Sequence, residues 1–260
     1  MKSLIKLIFN EIKETIRVLI NYVYPRNITC IICDNPIKLT NTYSLCKNCY
    51  EELHFILDGC NKCGKPIVNF NLERENLITC NYCYNKTFYF DKVISCIAYD
   101  DISKKLILDY KYNQKTYLSR YIVDIMKEKY LLENIKADYI LYVPLHKKRL
   151  KKRGFNQSER IARKLSKLID IPVLDCITRV KNTKKLYNMN KEYRQIELKN
   201  GFKVKDNINL IKNKNIILID DIFTTGSTVN EISKVLKLSS VNNIYVFTFL
   251  TTYANIYAKE

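Results

Sequence analysis

The stretch Ile216–Val229, IILIDDIFTTGSTV, decides the fold of this 260-residue chain. Four apolar residues, three of them isoleucine, run without interruption into Asp220 and Asp221. An apolar run of this kind reads as a strand buried on both faces, the pattern of a parallel sheet. Thr224, Thr225, Gly226, Ser227 and Thr228 form a loop. After it, Val229, Ile232, Val235 and Leu236 recur on one side of a helix. Strand, short loop and helix in that order place the loop at the carboxyl end of the strand, where open α/β sheets bind their ligands. A helix N-terminus has unpaired amides and a positive dipole end, so it suits a phosphate. Gly226 permits close backbone approach, and the threonine and serine hydroxyls add donors. Carboxylates accept hydrogen bonds from sugar hydroxyls. The stretch therefore fits a ribose phosphate, with the 5′-phosphate in the loop and hydroxyls on the acids. Acids at a strand end also begin ordinary turns; only the composite singles this one out.

Outward from this stretch, the pattern repeats from about Phe90. Short β-branched runs, KVISCIAY, DYILYV and NIYVFTFL, read as further buried strands. Helical stretches separate them: SKKLILDYKY, YLSRYIVDIMKEKYLLE, and a third beginning at Asn156. There Asn156 and Glu159 have the spacing of a capping box, and Ile161, Ala162, Leu165 and Leu168 form one apolar face. Strands alternating with helices imply a parallel sheet covered on both sides.

The first third is different. Eight cysteines fall in four pairs: Cys30 and Cys33, Cys46 and Cys49, Cys60 and Cys63, Cys80 and Cys83. A two-residue gap lets both thiolates of a pair address one tetrahedral ion, and two pairs complete a four-thiolate zinc site. Four pairs make two sites, both saturated and hence structural. A redox dithiol would need one such motif opening a helix, not four in a row. Sequential use joins the first two pairs and the last two; a crossed arrangement has the same spacing. His54 reads as a surface residue, and Cys96 and Cys176 as ordinary buried thiols. Zinc chelation is expected to unfold this third alone.

Nearly half the chain is apolar, so a packed core is available. The formal net charge of +18 attracts polyanions, and both a solvated basic surface and a nucleic-acid partner are compatible with it. The first residues, interrupted by Lys6, Glu11, Lys13, Glu14 and Arg17, read as an amphipathic helix and not as a membrane span or secretory signal. A cytoplasmic protein with reduced thiols is the expectation.

IILIDDIFTTGSTV resembles the phosphoribosyl-diphosphate (PRPP) motif of type I phosphoribosyltransferases. A second stretch, VPLHKKRLKKRGFNQSERIARKL over Val143–Leu165, resembles the signature of the ComF (competence protein F) family. In that family, cysteine pairs precede a phosphoribosyltransferase-like domain. The resemblance extends from Pro25 to the last strand. It implies an α/β fold: a type I phosphoribosyltransferase-like parallel sheet flanked by helices, with an N-terminal zinc-binding module. The divisions are 1–26 for the amphipathic helix, 27–89 for the module and 90–260 for the sheet domain. By position, Asp220 and Asp221 would hold ribose hydroxyls and stabilise positive charge at the sugar. Thr224 to Thr228 would hold the 5′-phosphate, and Arg149 and Arg153, in the loop Pro144 to Arg153, would face the diphosphate. Lys147, Lys148, Lys151 and Lys152 in that loop read as solvated, Asn156 as a cap, and His146 as a weak candidate for acid–base chemistry. Mg2+ would accompany PRPP.

The family is associated with DNA uptake and a helicase-like partner, and single-stranded DNA is a second candidate ligand. Tyrosines in DYKYNQKTY and NYCYNKTFYF suit stacking but more simply suit packing. The acceptor of any pentosyl transfer is unidentified. One segment departs from the family pattern: TKKLYNMNKEYRQIELKNGF keeps Thr183, Arg194, Gly201 and Phe202 but has Leu186 for Gln and Glu197 for Asn.

Overall fold

The computed structural model describes residues 11–12, 15–16, 19, 28–66, 80, 82–113, 115–182 and 197–254. The expected leading helix lies almost wholly outside them; Glu11, Ile12, Thr15, Ile16 and Leu19 are helical and exposed. Thr183, Leu186 and Arg194 also lie outside the described residues. The chain divides into two compact units, 1–52 and 53–260. The first contains the first two cysteine pairs, and the second contains the other two together with the sheet.

In the first unit, the chain folds back after Cys30. Asp34 N–H donates to Cys30 O (2.9 Å), Cys30 N–H donates to Asn35 O (2.8 Å), and Thr29 faces Pro36 across an antiparallel bridge. Helix α1 (Lys47–Glu52) carries Cys49, whose N–H approaches Cys46 Sγ at 3.5 Å. Ile31, Ile32 and Leu45 are buried aliphatic residues in the described part of this unit.

The same turn recurs at Cys60. Gly64 N–H donates to Cys60 O (2.8 Å), Cys60 N–H to Lys65 O (2.9 Å), and Gly59 faces Pro66. This copy is built into the sheet domain. Lys62 O accepts from Val93 N–H (3.0 Å), and a Cβ on Gly64 would stand 2.6 Å from Val93 O. Gly64 also has a φ of +65°, so both space and backbone require glycine. Cys60, Cys63 and Cys83 share one buried cluster with Phe90, Ile216 and Leu218.

The main sheet consists of β1 (Lys92–Ala98), β2 (Tyr139–Tyr142), β5 (Ile216–Phe223) and β6 (Ile244–Thr251), in the order β1-β6-β5-β2, all parallel. The expected parallel α/β class is what the structure has. Ile216 to Ile219 are 0% exposed, as an inner strand covered on both faces must be. Helices α2 (Asp101–Tyr112) and α3 (Ser119–Glu133) lie between β1 and β2 in the chain. After β2 come α4 (Lys147–Arg153) and α5 (Gln157–Ile169), and α6 (Ser227–Leu238) joins β5 to β6. α5 packs on α3 and on the β2–β5 edge.

Four details differ from the sequence reading. Strand β5 does not stop before the acids but runs on to Phe223, because β6 pairs with it as far as Thr251. The basic loop Pro144 to Arg153 contains helix α4, opened by His146, whose side chain accepts from Lys148 N–H (3.3 Å), and closed by Gly154 at φ +84°. Leu168 is 44% exposed; after the left-handed residue Asp170, Ile171 is the one buried. A separate antiparallel pair, β3 (Ile177–Arg179) and β4 (Phe202–Val204), was not anticipated, since three-residue strands carry almost no periodic signal. The tyrosines divide: Tyr110 is fully buried, while Tyr84, Tyr89, Tyr112 and Tyr117 are exposed.

Because Cys63 is part of the sheet's own core, Cys63→Ser is expected to release one of two zinc equivalents. It should also destabilise the whole 53–260 unit, on the order of 4 kcal/mol. Zinc assay combined with thermal melting by circular dichroism checks this. Loss of a small ribbon transition alone, with the main melt unmoved, would show the cluster to be independent of the sheet.

Candidate functional site

The register of the sheet creates the site. β2 pairs with β5 only from Ile216 to Ile219, whereas β6 continues beside β5 to Phe223. The last bond on the β2 side of β5 is from Val143 N–H to Ile219 O (3.0 Å), and Asp220 and Asp221 stand just beyond it. Asp220 shares a concavity of about 50 Å3 with Ile222, Phe223, Thr224 to Thr228 and Val229.

The loop is shaped as an anion cradle. Gly226 opens α6 with φ +67° and ψ 0°, and no side chain caps the helix. Its first amides thus have no intrahelical partner. Thr225 Oγ1 and Ser227 Oγ lie 2.9 Å apart at its rim. A Cβ on Gly226 would stand 2.7 Å from Phe223 Cζ, so only glycine lets the backbone lie against that ring. Phe223 in turn meets Phe90 edge-on at 6.0 Å, and Asn230 Oδ1 accepts Tyr89 N–H (2.7 Å). The second cysteine segment is thus packed directly behind the cradle.

The acids are held from three directions. Ser158 Oγ, on the first turn of α5, donates to Asp220 Oδ1 (3.1 Å), and Asp221 N–H donates to the same oxygen (2.9 Å). Lys111 Nζ, near the end of α2, lies 2.7 Å from Asp221 Oδ2. Burial, with the neighbouring charge of Asp221 second, pushes the Asp220 carboxyl up to about 7, against the pull of Lys111 and the two hydrogen bonds. Arg179, from β3, is 6% exposed and lies over Phe202 at 5.4 Å. Burial and the charge of Arg149 bring its guanidinium down to about 10, and Asp220 opposes them. Burial, followed by the charge of Arg153, lowers Arg149 as well.

Arg179 thus feels the charges of Asp220 and Arg149, while Arg149 feels that of Arg153. The Arg153 guanidinium donates to Gln157 Oε1 and to Tyr112 Oη (3.1 Å), and stacks on the Tyr112 ring at 4.9 Å. Lys147, Lys148, Lys151 and Lys152 are exposed. Asn156 is the cap of α5: its Oδ1 accepts from Ser158 and Glu159 N–H, and its Nδ2 donates to Val143 O (3.1 Å). The Glu159 carboxylate pairs with Arg163 Nε (2.9 Å). Sequence reasoning missed Lys111, Ser158 and Arg179. Lys111 and Ser158 sit in helices read only for their apolar faces, and Arg179 in a strand too short to read.

Both cysteine clusters use the sequential pairing. The Sγ atoms of Cys30, Cys33, Cys46 and Cys49 lie within 4.8 Å of one another, as do those of Cys60, Cys63, Cys80 and Cys83. Separations of 3.7 Å for Cys33–Cys46, 3.9 Å for Cys60–Cys83 and 3.4 Å for Cys63–Cys80 approach the edge of about 3.8 Å expected for four sulfurs ~2.3 Å from one zinc ion. The donor set fits structural zinc. His54 stays outside it, at the surface, paired with Asp100 Oδ2 (2.9 Å). Cys96 and Cys176 are buried thiols. Among the described residues these are the only clusters of three or more His, Cys, Asp or Glu able to hold an ion, and no helix is long and apolar enough to cross a membrane.

Comparison with known proteins agrees with this geometry. Residues 19–86 match the model of the double zinc ribbon domain. Competence protein F of Haemophilus influenzae is 28% identical over 229 residues, covering 85% of this chain and 96% of that protein. Competence protein ComFC of Streptococcus pneumoniae is 25% identical over 233 residues, 85% and 99% of the two chains. The chain is a homologue of the competence protein F group. DNA utilization protein YhgH of Escherichia coli K12 is a further relative, 24% identical over 233 residues, 86% of this chain and 96% of that one.

Among solved structures, this homologue is similar to the glutamine PRPP amidotransferase of B. subtilis, with a TM-score of 0.38 and 13% identity over 54% of this chain and 30% of that one. It thus spans under a third of the amidotransferase. Adenine phosphoribosyltransferase of Leishmania tarentolae gives a TM-score of 0.35 and 14% identity, over 55% and 74% of the two chains.

Gly226→Ala is expected to destabilise the protein by about 1–2 kcal/mol through its left-handed backbone alone, with the Phe223 contact adding to that. The melting temperature should fall by roughly 2–8 °C. An unchanged melt would mean that the loop relaxes freely and is not held by the ring behind it.

Proposed function

We propose that this competence protein F homologue binds PRPP or a related ribose phosphate at the end of β5 and serves DNA uptake. One observation carries the reading: Asp220 and the uncapped N-terminus of α6 line the same concavity. A 5′-phosphate meets the amides and the Thr225 and Ser227 hydroxyls; the ribose hydroxyls reach the acid. In this reading Arg149 and Arg179, of which Arg179 feels the charge of Asp220, would receive a diphosphate at C1. A planar guanidinium fork engages two phosphate oxygens at once.

The oxygen ligands present do not form a cage for Mg2+, since Asp221 is already paired with Lys111. The ion fits this site only as part of a complex with the diphosphate, whose charge it would neutralise. The reaction class that follows is pentosyl transfer. An acceptor forms a bond to C1, the C1–O bond to diphosphate breaks, and diphosphate leaves with the electron pair. The protein contributes positioning and charge: the cradle fixes the phosphate, Asp220 stabilises positive character on the sugar, and the arginines receive the departing oxygens. The acceptor is unassigned. The DNA-uptake role rests on the names of the relatives.

A second reading has its own support. Helix α4 has four exposed lysines, its Arg153 stacks on exposed Tyr112 at 4.9 Å, and the net charge is +18. These suit the backbone and bases of single-stranded DNA. Binding that weakens steeply with salt would favour it.

Calorimetric titration of PRPP, with and without Mg2+, tests the first reading. Asp220→Asn is expected to weaken binding about tenfold or more, equivalent to ~1.4 kcal/mol. Because Asp220 titrates near 7, its carboxylate form, the better acceptor, grows as pH rises. Affinity should therefore increase from pH 6 to pH 8. Binding unaffected by Asp220→Asn and by pH would reject the assignment.

A further inference from the structure

Asp220 and Asp221 are adjacent in sequence, yet they keep different company. Asp220 lines the concavity and Asp221 does not. Asp221 is 5% exposed, and its Oδ2 lies 2.7 Å from Lys111 Nζ, a side chain itself only 14% exposed. The backbone N–H of Asp221 donates to Asp220 Oδ1 (2.9 Å), and Ser158 Oγ donates to the same atom (3.1 Å). One oxygen of Asp220 is thus fixed twice, while among the described residues no donor meets Oδ2. A carboxylate pinned in this way presents its second oxygen in a single orientation, ready to accept from a ligand hydroxyl.

Resting on the ribose-phosphate reading above, we propose that the two acids divide the work. Asp220 alone receives the sugar hydroxyls, and Lys111 is a positioning residue that, through Asp221, holds Asp220 in place and charged. The ion pair ties the end of α2 to β5 at the residue whose amide grips Asp220. It also offsets the second negative charge beside it. The groups facing Asp220 are Asp221 on β5, Lys111 on α2, Ser158 on α5 and Arg179 on β3. Of the two cations, Lys111 is the one that touches the acid pair. Without it, Asp221 would stand buried and uncompensated next to Asp220, and two neighbouring carboxylates resist ionising together.

This differs from a shared role, in which both carboxylates bind the sugar and Lys111 only stabilises the fold. A fold-stabilising lysine alters melting. It does not move the pH at which the sugar is recognised, and its loss is not repaired by removing Asp221 as well.

The experiment compares ribose 5-phosphate with inorganic phosphate by calorimetry from pH 5.5 to 9, in the full chain. Wild type, Asp220→Asn, Lys111→Met and the double variant Lys111→Met with Asp221→Asn are used. Inorganic phosphate reports the cradle alone; the excess affinity for ribose 5-phosphate reports the acids. Asp220→Asn should abolish the excess while inorganic phosphate is still bound, at least as tightly as by wild type. Lys111→Met should shift the pH midpoint of the excess upward by about one unit, so that the sugar is lost at neutral pH and regained at high pH. The double variant, which leaves no unpaired buried charge and keeps the proposal testable if Lys111→Met alone misfolds, should restore the excess with a midpoint at or below that of wild type. If the double variant loses the sugar as completely as Asp220→Asn, Asp221 is a ligand contact and the division of labour is wrong. An unmoved midpoint in folded Lys111→Met also overturns it. If wild type binds phosphate but shows no preference for ribose 5-phosphate, the ribose reading itself fails, and the proposal with it.

Discussion

Two adjacent carboxylates at the end of a buried strand set the terms for everything around them. Moving such groups out of water is tolerable only if each finds a partner. Neither can find one on its own strand beyond a single amide. The partners come from α2, which supplies Lys111, and α5, which supplies Ser158. Arg179 of β3 adds its field. Elements far apart in the chain thus converge on two residues of β5. The ion pair is not an obvious gain in stability, because a buried pair gives back in desolvation much of what it gains in attraction. What it supplies is geometry: it fixes the end of α2 against β5.

The second cysteine cluster belongs to the same construction. Its backbone joins the edge of β1 through Lys62 and Val93, and its thiols enter the core under the sheet. Lys65, 1% exposed, reaches the end of β6 through Thr252 O (2.8 Å). Phe90 then backs Phe223, and Phe223 backs Gly226. A bound zinc ion would therefore stiffen the wall behind the loop Thr224 to Thr228. The first cluster, with the same turn at Cys30, lies in the other unit. Two copies of one local motif thus serve different ends: one forms a compact unit of its own, the other is absorbed into a larger core.

Much of this was legible in the residues. The four strands of the main sheet are short, largely apolar runs, and each appears where the sequence puts it, β5 alone running further than expected. The cysteine spacing gave two four-thiolate sites, since a two-residue gap allows little else. Gly226 and Asn156 were readable because a left-handed residue before a helix and an amide cap have strong local preferences. Helix α4 was not. Its basic run suggested a solvated loop, and no periodic apolar face marks a seven-residue helix as one. Leu168 fits the apolar period of α5, but a period cannot tell where neighbouring elements stop covering the helix.

The amino-acid order by itself determined what is local: the strand that ends in two acids, the hydroxyl loop that follows, and the thiolate pairs. Each is written within a few residues, and its chemistry follows from side-chain type and spacing. Only the tertiary structure decided that Asp220 faces the concavity while Asp221 turns to Lys111, that Arg179 comes within the field of Asp220, and that the second cysteine cluster belongs to the sheet. These depend on where β2 ends against β5 and on which helices pass close by. Contacts between residues 62 positions apart, as Ser158 and Asp220 are, or 187 apart, as Lys65 and Thr252 are, leave no trace in any short window of sequence.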